Sequence, residues 1–160
     1  TPGTIYWMTG DEHTEYGHIT EEPEIRIEMH PKRMKKLDLA AKEIPVDRQY
    51  KLYGPEDAQA TIVSWGSTKG PILDAMKVLE KEHGISLNFL QIRLINPFPT
   101  EAVSRILGKA KLLMSVEANY TGQMAQLVRM RTGIEAARSL KPRWSMRSKK
   151  SSQNSLKRWC

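Results

Sequence analysis

From Ala60 onward the chain repeats one pattern three times: a short apolar run, a turn, and an apolar stripe at helical spacing. The runs begin near Thr61, Ser86 and Lys111, 25 residues apart, which is the length of one strand plus one crossover helix. Strands alternating with helices at that period bury their apolar faces best as a parallel sheet between helical layers. The expected fold class is therefore α/β, a three-layer αβα domain with a mainly parallel sheet.

Within the first unit, Thr61-Ile62-Val63-Ser64-Trp65 is rich in β-formers, and Gly66-Ser67-Thr68 with Pro71 supplies a turn, a capping hydroxyl and a proline early in a helix. In the helix expected over 70–83, Ile72, Ala75, Met76 and Leu79 share a face, and Gly84 is a stop signal. Leu87 through Leu94 is apolar on both alternating sets, as a strand buried on both faces requires. Asn96-Pro97-Phe98-Pro99-Thr100 then reads as a rigid loop, followed by a helix with Val103, Ile106, Leu107 and Ala110 in one stripe. The third strand is expected at 112–116. Thr121 is placed to cap a last helix whose Met124, Leu127 and Val128 share a face.

The upstream region has little core of its own. Thr4 to Thr9 reads as a strand, Gly10 to Thr20 as an acidic, His-containing loop, and Glu21 to Glu43 as a charged helix that Pro31 should kink or divide. Lys32, Arg33, Lys35 and Lys36 follow Glu21, Glu22, Glu24 and Glu28, so a solvated or partner-facing helix is expected, not a nucleic-acid patch. Pro45 through Gln49 reads as a linker into an edge strand, Tyr50-Lys51-Leu52-Tyr53.

Charge is distributed unevenly. Residues 138–160 hold eight cations and no acid, so of the net charge of +7 the first 137 residues carry −1. The basicity belongs to an aperiodic tail, expected to be disordered, and not to a folded stripe of the kind nucleic-acid readers present. No apolar run approaches the ~18 residues of a membrane span. The start, Thr1-Pro2-Gly3, reads as a cut end. The single cysteine, Cys160, cannot form an internal disulfide or a cysteine-bound cluster, which fits a reducing, cytoplasmic setting.

Three groups of residues could carry chemistry. Gly66, Ser67, Thr68 and Lys69 lie between a strand and a helix, where free amides hold anions. The order is not that of a Walker loop, and every βα turn needs small residues and a cap, so an ordinary turn is the competing reading. Asp11, Glu12, His13 and His18 are metal ligands by type, but their spacing is that of an irregular, solvated loop. Glu117, Asn119, Gly122 and Gln123 cluster at the carboxyl end of the third strand, the edge where open α/β sheets bind ligands and partners. There, capping and local hydrogen bonding compete with a partner-binding role. No serine–histidine–acid arrangement is discernible.

Two stretches carry a family resemblance. Gly10-Asp11-Glu12-His13 with Gly17-His18, then Arg26, Met29, Lys32-Arg33 and Lys36-Leu37, resembles the connector after the thiamine-pyrimidine domain in α subunits of 2-oxoacid:ferredoxin oxidoreductases. Ile62 to Ser67, Leu94 to Pro99 and Val116 to Gln123 resemble the transketolase C-terminal-type domain that follows in that subunit. The resemblance spans about residues 3–135. It divides the chain into 1–49, the end of the upstream thiamine-pyrimidine domain with a helical connector arm; 50–135, the transketolase C-terminal-like α/β domain; and 136–160, a basic, disordered or non-native tail.

The resemblance implies a fragment that organises subunit interfaces in an enzyme oxidatively decarboxylating a 2-oxoacid. The parent complex would use thiamine diphosphate, magnesium and an iron–sulfur cluster, with coenzyme A accepting the acyl group and ferredoxin the electrons. The implied partners are a β subunit and the upstream α-subunit domains. The Tyr-Pro-Ile-Thr-Pro-type segment, the Gly-Asp-Gly diphosphate motif and the cluster cysteines do not occur in this sequence, so no catalytic, cofactor-binding or metal residue is carried over. The partner or ligand face it leaves is Glu12, His13, Glu117, Asn119, Gly122 and Gln123. After Ile134 the family's closing strand gives way to Ala136-Ala137-Arg138, which predicts an uncovered sheet edge. The rival readings are a free-standing phosphate- or nucleotide-binding α/β domain using Gly66 to Gly70, and a basic nucleic-acid-binding protein. The first lacks an acidic ribose partner and the second a folded basic stripe.

Overall fold

The computed structural model describes residue 3 and residues 7–139. The chain falls into two units, Thr1–Ile44 and Pro45–Cys160.

In the first unit, Glu12–His13 (β1) and Ile19–Thr20 (β2) pair antiparallel, and helix α1 follows over Pro23–Glu43. The loop expected at 10–20 is thus a small hairpin. Its turn is closed by the amide of Gly17 on the Thr14 carbonyl, at 3.0 Å, and that of Thr14 on the His18 carbonyl, at 2.9 Å. Of the kink or division expected at Pro31, the division does not occur: helix α1 is continuous through it. A proline costs a helix one amide donor and some steric room, and here 21 residues of otherwise good helix formers continue across it. The strand expected over Thr4 to Thr9 falls partly outside the described residues, and Trp7 to Thr9 are not in a strand.

The second unit begins with a single helical turn, Val46–Gln49 (α2), where a linker was expected. Tyr50–Tyr53 (β3), Ala60–Trp65 (β4), Lys69–His83 (α3, after a 3-10 turn at Gly66–Thr68), Leu87–Ile92 (β5), Thr100–Leu107 (α4), Leu113–Val116 (β6), Gln123–Thr132 (α5) and Ala137–Ser139 (β7) follow. The sheet order is β3-β5-β4-β6-β7. The three strands read from the repeat are parallel, in the register Val63 to Leu90 and Ile62 to Met114, and β3 pairs antiparallel on β5 as the edge.

One expectation is overturned. The residues read as a foreign tail at 136–139 supply a closing strand: β7 lies parallel to β6, with Ala137 opposite Met114 and Ser139 opposite Val116. A sheet edge takes its partner through backbone groups, so Ala-Arg-Ser needs no β-rich composition to pair there. The disorder expected beyond Ser139 lies outside the described residues.

Side chains alternate across the sheet, and each face has its own core. Val63, Leu90 and Ile92 pack with Val103 and Leu107 of α4 and Met124 and Val128 of α5. Ile62 and Phe89 face the other way, onto Ile72 of α3, with Leu73 and Met76 against them. Three layers result. Val63, Phe89, Leu90, Val103 and Val128 are fully buried, each stabilising the fold by roughly 1.5–3 kcal/mol. Helix α3 stops at Gly84, whose φ of 63° is the left-handed value a helix end favours. The amides of Gly84 and Ile85 then return to the carbonyls of Glu80 and Leu79, both at 3.1 Å.

Candidate functional site

Parallel strands deliver their carboxyl ends to one edge of the sheet, and two of the sequence-predicted groups lie there. At the end of β6, Glu117 turns inward and not toward solvent, and it is only 6% exposed. Its carboxylate accepts the Ser115 hydroxyl at 2.8 Å, the Asn119 side-chain amide at 2.7 Å, and the backbone N–H groups of Met124 and Ala125 at 2.8 and 2.9 Å. These last two are orphan donors in the first turn of α5, so Glu117 is the cap that was expected of Thr121. Burial pushes the carboxyl's pKa up, but the Met124 amide, the Asn119 side chain, the Ala125 amide and the Ser115 hydroxyl together hold it below its ordinary value.

Asn119 is fixed by the same network. Besides donating to Glu117, it accepts the Gln123 amide at 3.0 Å. Gly122 is buried beneath this loop, at a φ of 67°, and Gln126 donates to the Thr121 carbonyl at 2.7 Å. The loop is held at every second residue. It exposes Ala118, Tyr120, Thr121 and Gln123, with Tyr120 81% exposed.

The second group, Gly66 to Lys69, forms the 3-10 turn between β4 and α3. Thr68 does not cap α3 with its hydroxyl. It donates back to the Trp65 carbonyl at 2.8 Å and meets the Ser64 hydroxyl at 2.5 Å, while Ser64 donates across to the Val116 carbonyl. These bonds tie the ends of β4 and β6 together. Gly66 and Ser67 are exposed, and half-buried Lys69 places its ammonium over the Tyr53 ring, 5.7 Å from the centroid.

Sequence reading missed the surroundings of Tyr53. That ring stacks on Phe89 at 5.6 Å and 14°. Lys51 of β3 places its ammonium 5.1 Å from the same centroid, and Arg93, just past β5, donates to the Tyr53 hydroxyl at 3.4 Å. The only sequence signal was the shared parity of Lys51 with Tyr53 and of Gln91 with Phe89, which places all four on one face once β3 pairs with β5.

In the first unit, Glu12 is buried and takes both arms of the Arg33 guanidinium of α1. The Arg33 bond draws its pKa down, against a smaller opposing effect of burial. His13 is half-buried, with Nδ1 3.0 Å from the Thr14 carbonyl. Glu12 thus faces Arg33 of α1, while its neighbour Asp11 is exposed. Among the described residues no three His, Cys, Asp or Glu side chains gather as a metal-holding group, and no helix is long and apolar enough to cross a membrane.

Residues 58–144 match the family described as pyruvate:ferredoxin oxidoreductase core domain II. The α subunit of 2-oxoacid:ferredoxin oxidoreductase 1 from Aeropyrum pernix is 45% identical over 134 residues, 82% of this chain and 21% of that protein. Its counterpart from Saccharolobus solfataricus is 46% identical over 127 residues, 79% of this chain and 20% of that protein. The structure of 2-oxoglutarate:ferredoxin oxidoreductase from Magnetococcus marinus, solved with 2-oxoglutarate, coenzyme A and succinyl-CoA bound, superposes with a TM-score of 0.66 at 28% identity, over 87% of this chain and 24% of that one. The chain thus spans about a fifth of the length of the α subunits it matches. On this evidence the chain belongs to the 2-oxoacid:ferredoxin oxidoreductase family, through its core domain II.

Proposed function

We propose that this chain is the subunit-interface and scaffold domain of a thiamine-diphosphate-dependent 2-oxoacid:ferredoxin oxidoreductase, which oxidatively decarboxylates a 2-oxoacid to its acyl-CoA with ferredoxin as electron acceptor. In that reading it works in the cytoplasm, the domain is of the transketolase C-terminal type, and its partners are the β subunit and the remaining α-subunit domains. The observation that carries the reading is the strand-end loop 117–123. Four donors lock Glu117 beneath it, and Tyr120 stands out from it, 81% exposed. A rigid loop with one projecting aromatic side chain suits protein contact, because an anchor already held in place loses little entropy on binding. Helix α1 adds a second surface: none of its residues is buried, and Ile27 and Leu39 are 72% and 52% exposed.

Catalysis is assigned to other parts of the parent enzyme. A magnesium-held diphosphate needs several carboxylate or amide oxygens on one cation, and a cluster needs several thiolates. The chain has one cysteine in all, and its buried acids, Glu12 and Glu117, are consumed by Arg33 and by the α5 amides. These residues do not fit either group.

The test is reconstitution of the complete α subunit with its β subunit. Tyr120→Ala with Gln123→Ala should weaken assembly about tenfold or more, the loss of one interface anchor, with the far-ultraviolet circular dichroism of the subunit unchanged. Assembly at wild-type affinity would remove the interface role from this loop. In parallel, the folded 160-residue chain titrated with thiamine diphosphate and magnesium should give no saturable heat, and micromolar binding would overturn the scaffold assignment.

A further inference from the structure

We propose that Lys51, Lys69 and Arg93 form, around the Tyr53 ring, a binding site for a small oxyanion of the phosphate class. The three cations come from separate elements: β3, the first residue of α3, and the residue after β5. The two ammonium groups stand 5.1 and 5.7 Å from one ring centroid, and the guanidinium reaches that ring's hydroxyl. Three cationic side chains thereby border one ring.

Their partners do not offset that charge. Arg93 donates to the Asp47 carbonyl at 2.8 Å, the Gln91 amide oxygen at 3.2 Å and the Tyr53 hydroxyl at 3.4 Å, all neutral acceptors. Three cations among the described residues do have a carboxylate partner. Arg33 is paired with Glu12, Lys77 with Asp74 at 3.5 Å, and Arg129 with Glu135 at 3.1 Å. Among the described residues no carboxylate pairs with Lys51, Lys69 or Arg93. Tyr53 registers the same field. Burial pushes its phenol up, but Arg93, Lys69 and Lys51 bring it below its ordinary value.

The chemistry of the missing counter-charge follows from the donor set. A single carboxylate has one negative charge and two oxygens. A phosphate group carries about 1.5–2 negative charges and at least three free oxygens, which suits a guanidinium and two ammonium groups bordering one ring. Gln91 and the Tyr53 hydroxyl add neutral contacts, and the stacked Tyr53–Phe89 pair forms an apolar wall beside the charges. The site is separate from the Glu117 loop and does not depend on the interface role given to that loop.

The experiment is a titration of the 160-residue chain with inorganic phosphate, pyrophosphate and a nucleoside diphosphate at constant ionic strength, followed by nuclear magnetic resonance. The Lys51, Tyr53, Lys69 and Arg93 signals should shift together and saturate, and the Tyr53 phenol should titrate at higher pH when the anion is bound. Lys69→Gln and Arg93→Gln should each weaken binding about tenfold, the loss of one charge-assisted contact, and Arg93→Lys should weaken it less. Lys77→Gln, on the exposed face of α3, should change nothing. Tighter binding of the nucleoside diphosphate than of phosphate would mark the site as a holder for a larger phosphorylated ligand, and equal binding as a holder of the free ion. Shifts that chloride reproduces, or binding that survives Lys69→Gln with Arg93→Lys, would overturn the site.

Discussion

Glu117 does one job with two consequences. Its carboxylate satisfies two amide donors at the start of α5 while fixing Asn119 and Ser115, so Glu117→Ala would leave buried donors unpaired at a cost of about 3 kcal/mol. Glu117→Gln should cost less, because one acceptor oxygen remains. Since the folded carboxyl sits below its ordinary value of 4.5, its contribution is present above that pH and is lost as pH falls through the folded value. Chemical denaturation followed against pH should show a steep acid limb in the wild type that flattens in Glu117→Gln; identical limbs would show that the carboxylate is not what the α5 amides depend on. Gly54 is a second such residue. Its φ is 83° and a Cβ there would stand 2.5 Å from the Leu87 carbonyl oxygen, so Gly54→Ala should cost about 1–3 kcal/mol, through strain and clash together.

At the scale of elements, β7 carries the sharpest test. Strand β6 pairs with β4 on one side and β7 on the other, so a chain ending at Ile134 exposes the β6 edge, whereas one ending at Ser139 keeps it paired. Amide exchange at β6 should accelerate by an order of magnitude or more in the shorter chain, the response of a backbone bond lost at a sheet edge. Unchanged protection there would show that β7 adds nothing. The hairpin and α1 depend likewise on one pairing. Arg33→Met removes both bonds to buried Glu12, and the backbone amide of Thr14, bonded to the His18 carbonyl, should then exchange faster while β4 and β5 remain protected.

For the whole molecule, the two units differ in how much apolar surface they bury. All thirteen buried hydrophobic residues among those described, from Ala58 to Ala136, belong to the second unit, and α1 buries none. Native-state exchange should therefore show α1 opening at far lower free energy than β4 and β5; a single shared opening energy would show one cooperative body. The three-unit repeat made this core legible in advance, because apolar spacing within a strand or helix depends only on neighbours a few residues away. The spacing also determined that the strands at 61, 87 and 113 are parallel and doubly covered, since alternation with helices of that length leaves little other choice. Three things were decided only by tertiary structure. Ala137 to Ser139 became a strand because β6 offered an edge, not because of their composition. Glu117 became a helix cap seven and eight residues before the amides it binds because a turn folded it back. Lys51, Lys69 and Arg93 met at Tyr53 because strand register and a helix start brought together residues up to 42 positions apart. In each case the partners lie beyond the two-, three- and four-residue spacings that a periodic pattern reports, and a contact of that kind exists only once the chain has folded back on itself.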